Sequence, residues 1–157
     1  MGHMVRQLYL ILDNIRSAHN VGSLLRTADG AGVAKVYVCG YTPLPTDSKV
    51  AKTALGSEKS MSWERHAQTW RLIKKLKENH IAIVALEQSK YSTDLFCYTP
   101  PARVQGLALI VGNEIKGLSN KTLTLADHIL EIPMHGKKES LNVSVAAGVI
   151  LFSVLNR

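Results

Sequence analysis

The sequence has few cysteines and lacks a long hydrophobic run. Its two cysteines, Cys39 and Cys97, do not have CxxC spacing, and the sequence predicts that both are reduced thiols. No apolar run reaches the roughly 18 residues that a membrane span requires, and the N-terminus lacks a signal-peptide pattern. We therefore expect a cytoplasmic protein without a membrane segment. Residues 1–4, which include "GHM", are interpreted as a cloning remnant, so His3 is given no function.

Acidic residues are scarce relative to basic ones. The chain has 12 Asp and Glu against 19 Lys and Arg, a formal net charge of +7. This balance favours a polyanionic partner such as nucleic acid. A basic protein with an ordinary solvated surface is the alternative, because net charge alone does not identify a partner.

The motifs of common nucleotide-cofactor enzymes and hydrolases are absent as well. Gly22 stands alone at the start of the first predicted helix, so the G-x-G-x-x-G fingerprint is missing, and Gly30 and Gly32 are interpreted as helix-ending residues. The sequence has no G-x-x-x-x-G-K-[ST] phosphate loop and no G-x-S-x-G nucleophile elbow. The histidines show no metal-ligand spacing with acids or cysteines, so no metal site is predicted.

Short apolar runs alternate with helix-like segments along the chain. The predicted strands are 8–12, 35–39, 81–86, 107–111 and 128–132. They are apolar nearly throughout, which is typical of parallel strands covered on both faces. The predicted helices are 20–32, 67–80 and a final helix near the C-terminus. The alternation predicts a single three-layer α/β domain over residues 5–157.

Most of the unusual polar residues lie in the loops that follow the predicted strands. These loops are 13–20, 87–94, 112–119 and 133–140. In parallel α/β sheets, ligands bind at the carboxyl ends of the strands. A functional site is therefore expected where these loops meet.

The final helix raises a separate question. Ser140 is a candidate N-cap, because its hydroxyl can accept a hydrogen bond from a first-turn amide. Capping by Ser140 leaves Asn142 and the small residues Ala146, Ala147 and Gly148 unexplained. Small residues allow a helix to approach another backbone closely, either inside the chain or at an interface between two copies.

Three segments together resemble the SpoU class of the SPOUT superfamily, the S-adenosylmethionine-dependent RNA 2′-O-ribose methyltransferases. The first, "NIRSAHNVGSLLRTADGAGV", contains Asn20 and Arg26. The second, "LALIVGNEIKGLS", contains Gly112, Glu114 and Gly117. The third consists of "IPM" and then "SLNVSVAAGVILF". The resemblance extends from about residue 8 to residue 155, and the three motifs occur in the order and spacing of the family.

The resemblance implies a parallel sheet whose C-terminal part forms a deep trefoil knot, the α/β-knot fold, and a homodimer. It implies S-adenosylmethionine as the cofactor, bound in a bent form by the knot loops, and no metal. The implied cofactor-binding residues are Leu86, Gly112, Ile132, Met134 and Leu141. The implied catalytic residues are Asn20, Arg26, Glu114, Ser140 and Asn142.

The resemblance also implies a chemical role for each catalytic residue. The family gives a base-like role to the arginine that matches Arg26, but deprotonating an arginine at neutral pH costs about 7 kcal/mol. We therefore expect Arg26 to act as a cation that orients the substrate phosphate and stabilises the developing alkoxide, while the proton leaves through phosphate or water. Glu114 is expected to orient Arg26 or a neighbouring donor. Asn20 is expected to fix the ribose or its phosphate, and an N-cap role for Asn20 is compatible with that.

The RNA substrate is the least determined feature. Transfer RNA is the first expectation and ribosomal RNA the second. The alternatives are a methyltransferase that acts on a base nitrogen, against which the "SLN" sequence argues, and a knotted RNA-binding protein without turnover. No separate RNA-binding domain is expected, so the core, the basic stretches Lys49–Lys59 and Arg71–Lys77, or a partner would select the RNA.

Overall fold

The computed structural model describes residues 6–155, and the predicted cloning remnant at residues 1–4 lies outside them. The strands are β1 (Gln7–Asp13), β2 (Lys35–Cys39), β3 (Trp63–His66), β4 (Ile81–Leu86), β5 (Thr93–Asp94), β6 (Gly106–Val111) and β7 (His128–Glu131). The helices are α1 (Ala18–Ala31), α2 (Ser48–Ala54), α3 (Ser57–Ser60), α4 (Thr69–Glu78), α5 (Asn120–Leu125) and α6 (Val143–Leu155), with a 3-10 turn at Leu95–Cys97.

All strand pairs of the sheet are parallel, in the order β3-β2-β1-β6-β4-β7-β5. The five predicted strands are confirmed as β1, β2, β4, β6 and β7. Strands β3 and β5 were not predicted, and they form the two edges of the sheet. Their sequences, "WERH" and "TD", are short and polar, because an edge strand buries less side-chain surface than a central strand.

Helices cover both faces of the sheet, so the predicted three-layer arrangement is confirmed. Leu8, Leu10 and Leu12 of β1 point to the face that packs against α1, α2 and α6. Ile11, between them, points to the opposite face, where residues of α4 pack. Leu10 and Leu12 are fully buried, and burial of each such side chain contributes about 2 kcal/mol to stability.

Helix α1 is closed at both ends by local hydrogen bonds. The Ser17 hydroxyl caps its start by accepting a hydrogen bond from the backbone N–H of Asn20 at 3.2 Å. Ser17 is therefore the N-cap, and Asn20, considered for that role, lies inside the first turn. Gly32 ends the helix in the left-handed conformation (φ 76°), as its position predicted. Gly30, which was also interpreted as helix-ending, lies within the helix.

Helix α6 begins at Val143, two residues later than a cap at Ser140 requires. The Asn142 Oδ1 accepts hydrogen bonds from the backbone N–H groups of Ser144 at 2.9 Å and Val145 at 3.4 Å. The prediction that Ser140 is the N-cap is therefore wrong, and Asn142 caps the helix.

The small residues of α6 are used inside the chain. Ala146 and Ala147 are buried, and a Cβ added at Gly148 would lie 3.3 Å from Thr27 Cγ2 of α1. The small side chains thus let α6 pack closely against α1. The expectation that these residues serve an interface between two copies gains no support from this packing.

The predicted helix at 67–80 forms α4 and buries Leu72, Ile73 and Leu76 against the sheet. Trp70, which shares the apolar spacing in the sequence, is only partly buried. Within residues 6–155, no helix is long and apolar enough to cross a membrane.

Candidate active site

A cavity of about 410 Å³ lies at the carboxyl ends of β4, β6 and β7, beside the start of α6. Its volume falls within the roughly 300–1,000 Å³ of small-molecule sites. Nine of the ten predicted site residues line it: Asn20, Leu86, Gly112, Glu114, Ile132, Met134, Ser140, Leu141 and Asn142. Residues that are more than 120 positions apart in the sequence thus meet at one edge of the sheet, because parallel strands end on the same side.

Arg26, the tenth predicted residue, is not among the lining residues of this cavity. It lies on the exposed side of α1, six residues after Asn20. Six residues correspond to about 9 Å along the helix axis and a rotation of about 120° around it. Within one chain, the structure therefore does not bring Arg26 together with the other predicted catalytic residues.

Asn20 and Asn142 are joined by a direct hydrogen bond. The Nδ2 of Asn142 donates to Oδ1 of Asn20 at 3.1 Å, while the Oδ1 of Asn142 caps α6. Asn20 is buried in α1. Since its oxygen already accepts a hydrogen bond, its Nδ2 is left as a donor at the cavity. The two amides thus have fixed orientations before any ligand binds.

Glu114 connects two loops at the edge of the cavity. Its Oε1 accepts a hydrogen bond from the backbone N–H of Arg16 at 2.9 Å, and its Oε2 accepts one from Ser17 at 3.0 Å. These donors lie at the start of α1, where a carboxylate is also favoured by the helix dipole. Of the two expected partners of Glu114, Arg26 or a neighbouring donor, the single chain shows the second, and these donors are the backbone amides of Arg16 and Ser17.

Glu87 was not predicted from the sequence, but it holds the same region together. It is the first residue after β4, and its Oε2 accepts a hydrogen bond from the backbone N–H of Leu118 at 2.8 Å. Gly117 has a φ of +67°, and a Cβ there would lie 2.4 Å from Glu87 Oε2. Glycine is therefore required at this turn. The position of Glu87 directly after a buried strand was the signal that could have identified it.

Asn113 was also not predicted, although it lies between Gly112 and Glu114 of the second motif. Its Oδ1 accepts hydrogen bonds from the backbone N–H groups of Ile115 and Lys116, at 2.9 and 2.8 Å. Its Nδ2 donates to the Asn14 carbonyl and to the Tyr41 hydroxyl, at 3.0 and 2.9 Å. Asn113 thus fixes both the shape of loop 112–119 and its attachment to the loops after β1 and β2.

Gly112 lines the cavity, but its own loop also requires a glycine there. A Cβ at this position would lie 2.6 Å from Leu118 Cδ2 and 3.0 Å from the Gly117 carbonyl carbon. The close approach expected at Gly112 is therefore made at least in part by the chain itself. Any side chain at Gly112 would displace the turn that Glu87 holds.

The charges around the cavity favour a positively charged ligand. Three carboxylates line it, from Glu87, Glu114 and Glu131, and the described lining residues include no Lys, Arg or His. A ligand rich in phosphate would be repelled by this set, whereas a cationic ligand would be attracted. Among residues 6–155, no group of three or more His, Cys, Asp or Glu side chains is arranged to hold a metal ion.

Comparison with known protein sequences finds relatives that are named as rRNA methyltransferases. It is 36% identical over 151 residues to the 23S rRNA (guanosine-2′-O-)-methyltransferase RlmB of Vibrio vulnificus, covering 96% of this chain and 59% of the relative. It is 35% identical over 144 residues to the protein of the same name from Neisseria meningitidis, covering 92% of this chain and 56% of the relative. The chain thus spans less than two thirds of the length of these relatives.

Solved structures show the same fold. An AdoMet-bound rRNA methyltransferase from Sinorhizobium meliloti matches with a TM-score of 0.87 and 28% identity, covering 96% of this chain and 56% of that chain. The TrmH/SpoU tRNA modifying enzyme of A. aeolicus matches with a TM-score of 0.83 and 31% identity, covering 98% of this chain and 77% of that chain.

A family model matches residues 7–152, which include every strand and all of the cavity. The resemblance of the three motifs and the geometry of the site agree with this match. The chain belongs to the SpoU rRNA Methylase family.

Proposed function

We propose that this chain is an S-adenosylmethionine-dependent RNA methyltransferase that methylates a ribose 2′-hydroxyl of ribosomal RNA, and that residues 6–155 act as one catalytic domain. The observation that carries the proposal is the convergence of three distant motifs on one carboxylate-lined cavity. The relatives named as 23S rRNA methyltransferases support ribosomal RNA over transfer RNA, which the sequence had favoured first. Transfer RNA is the second candidate, because a tRNA modifying enzyme is among the structural matches.

The cavity has the chemistry that the proposed cofactor requires. Leu86, Ile132, Met134 and Leu141 would form an apolar slot for the adenine ring. The carboxylates of Glu87, Glu114 and Glu131 would offset the positive charge of the sulfonium and of the amino group. S-adenosylmethionine supplies a methyl group that is activated by its attachment to a sulfonium sulfur.

The polar residues at the α6 end of the cavity would position the acceptor hydroxyl. Ser140 and Asn142 are exposed at the mouth of the cavity, within reach of an RNA strand. The Nδ2 of Asn20 is a donor that can hold a ribose or phosphate oxygen. The 2′-hydroxyl would give up its proton to phosphate or water, and a nearby cation would stabilise the negative charge that develops on its oxygen.

We propose that this cation is Arg26 from a second copy of the chain, in a homodimer. Arg26 stands one helical turn before Gly30, and a Cβ at Gly30 would lie 3.7 Å from Phe152 of α6. Phe152 and Val145 of α6 are about half exposed, at 47% and 52%. This partly apolar surface of α1 and α6 suits a symmetric contact, which would carry Arg26 of each copy toward the cavity of the other.

A subunit-mixing experiment tests this arrangement. Arg26→Ala and Asn142→Ala chains are each expected to be inactive alone. If Arg26 acts across the dimer, random exchange restores about a quarter of the wild-type activity, because half of the dimers are mixed and each has one intact site. No recovery in mixtures shown by sedimentation to contain mixed dimers would contradict the proposal.

We also propose that the C-terminal segment forms the trefoil knot of this superfamily. The strand order supports it, since β7 lies beyond β4 at one side of the sheet while α6 packs back against α1. The segment between β7 and α6 must therefore cross the carboxyl edge of β4 and β6. A crystal structure in which residues 132–142 pass outside the loop that follows β4 would refute the knot.

The function is tested by incubating the protein with methyl-labelled S-adenosylmethionine and total RNA, followed by digestion to nucleosides. The expected product is a 2′-O-methyl nucleoside that originates from ribosomal RNA. Label in a methylated base would favour the base methyltransferase. Cofactor and RNA binding without any transfer would favour an RNA-binding protein that lacks turnover.

A further inference from the structure

A second cavity, of about 320 Å³, lies at the carboxyl ends of β1, β2 and β3. Asn113 and Gly117 line both cavities, so the two are separated only by loop 112–119. The proposed chemistry does not use this second cavity. Because one loop separates the two cavities, a single extended ligand could reach both of them.

The charges of the second cavity are opposite to those of the first. Lys116 and Lys121 line it, and Asp13 supplies its one acidic side chain among the described lining residues. The Asp13 carboxylate is buried and accepts a hydrogen bond from the Thr69 hydroxyl at 2.6 Å. Burial raises the pKa of Asp13, which disfavours its negative charge. The cavity therefore suits an anionic group, whereas the first cavity suits a cationic one.

Trp70 lies at the wall of this cavity, and three cations surround its ring. The Lys121 Nζ is 4.0 Å from the ring centroid, the Lys74 Nζ is 5.1 Å away, and the Arg71 Cζ is 5.2 Å away. Each contact is favourable by itself, but three positive charges around one indole repel one another. A bound anion would relieve that repulsion.

Tyr41 supplies a second exposed ring at the same cavity. Its side chain is 60% exposed, and its hydroxyl is held by the Nδ2 of Asn113 at 2.9 Å. Aromatic rings beside lysine and arginine side chains are the elements with which proteins bind single-stranded nucleic acid, by base stacking and by phosphate contacts.

We propose that this second cavity binds an unpaired nucleotide of RNA, with its base stacked on Trp70 and its phosphate held by Lys121 and Lys74. Lys121 lies over the ring in the free protein, so a base would take its place as the ammonium group moves to the phosphate. The identification of this RNA as the methylation substrate rests on the proposed function. The binding of an unpaired nucleotide does not, because it follows from this cavity alone.

Trp70 provides its own spectroscopic probe. The chain has two tryptophans, and Trp63→Phe leaves Trp70 as the one indole fluorophore. Trp63 lies at the amino end of β3, whereas the cavity lies beyond the carboxyl end of that strand, and Trp63 is not among the residues that line it. Titration with a short oligouridylate is expected to quench Trp70 fluorescence to saturation, because a stacked base quenches indole emission. Heparin, a polyanion without bases, is expected to bind without comparable quenching.

Substitutions with matched controls separate stacking from general charge. Trp70→Ala is expected to weaken binding of a fluorescently labelled oligouridylate about tenfold, and Trp70→Phe less, since one stacked base contributes on that order. Lys121→Ala is expected to reduce the slope of log affinity against log salt by about 0.7. Arg103→Ala removes the same charge from the exposed segment just before β6, at the amino ends of the strands and away from the cavity, and is expected to change binding less than twofold.

The outcomes distinguish this inference from the proposed function. Absent quenching, equal quenching by heparin, or wild-type binding by a folded Trp70→Ala chain would overturn the nucleotide site. Calorimetry with S-adenosylmethionine is expected to give wild-type affinity for Trp70→Ala, because Trp70 is outside the first cavity. Saturable quenching by a chain that transfers no methyl group would leave the nucleotide site standing and contradict the proposed function alone.

Discussion

Replacement of Glu114 by glutamine tests how the cavity is held in shape. The carboxylate accepts hydrogen bonds from the backbone N–H groups of Arg16 and Ser17 with separate oxygens. A glutamine offers one oxygen and places an NH₂ group against the second N–H. Each bond to a charged acceptor contributes about 1.5 kcal/mol, whereas the remaining neutral bond contributes about 1 kcal/mol. The expected loss is therefore about 2 kcal/mol of unfolding free energy.

The assay is thermal unfolding followed by circular dichroism, with Glu78→Gln as the matched control. Glu78 is exposed at the end of α4, so its substitution removes the same charge away from the cavity. For a chain of this length, a loss of 2 kcal/mol lowers Tm by roughly 4–8 °C. A Glu114→Gln Tm within about 1 °C of that of Glu78→Gln would show that the two hydrogen bonds to the Glu114 carboxylate do not stabilise the fold, which would refute the role that we assign to it.

The remaining predictions concern capping, pH dependence and thiol reactivity. Asn142→Ala removes the cap of α6 and is expected to lower the unfolding free energy by about 1 kcal/mol. Asn142→Asp keeps the cap but removes the hydrogen-bond donor to Asn20. Both variants are expected to lose methyl transfer, and a measurement of unfolding free energy distinguishes them. An Asn142→Asp chain with wild-type activity would refute the link. Burial raises the pKa of Asp13, so the folded state binds this proton more tightly, and its contribution to stability falls as the pH rises from about 3.8 through the raised pKa. Asp13→Asn keeps the acceptor for Thr69 but cannot ionise. As the pH rises through this range, the variant should become increasingly more stable than the wild type. A difference in unfolding free energy that stays constant or changes in the opposite direction would contradict this. Burial also raises the pKa of Cys39 to about 12, so alkylation at neutral pH should label the exposed Cys97 alone until the protein unfolds, and native labelling of Cys39 would contradict its burial.

The central strands could be predicted because burial on both faces requires continuous apolar runs. The edge strands and the short helices α2, α3 and α5 could not, since their residues are polar or their length too small for periodicity. The cap of α6 was assigned to Ser140 instead of Asn142 because both are good capping residues, and the sequence does not show where the first helical turn begins.

The sequence motifs, together with the rule that parallel strands have their carboxyl ends on one side of the sheet, were enough to predict that the site residues lie close together. The partners of Glu114 could not, because they are backbone amides of a loop almost one hundred residues away. The position of Arg26 on the exposed side of α1, outside the cavity, also could not be predicted. A linear motif shows that Asn20 and Arg26 are six residues apart, but it does not show that the cavity faces one of them.

The most direct test of the account is the fate of a labelled methyl group. We predict that the wild-type chain transfers it from S-adenosylmethionine to ribosomal RNA, and that digestion recovers it as a 2′-O-methyl nucleoside. Failure of a folded, cofactor-binding protein to transfer the label to ribose in either ribosomal or transfer RNA would contradict the account.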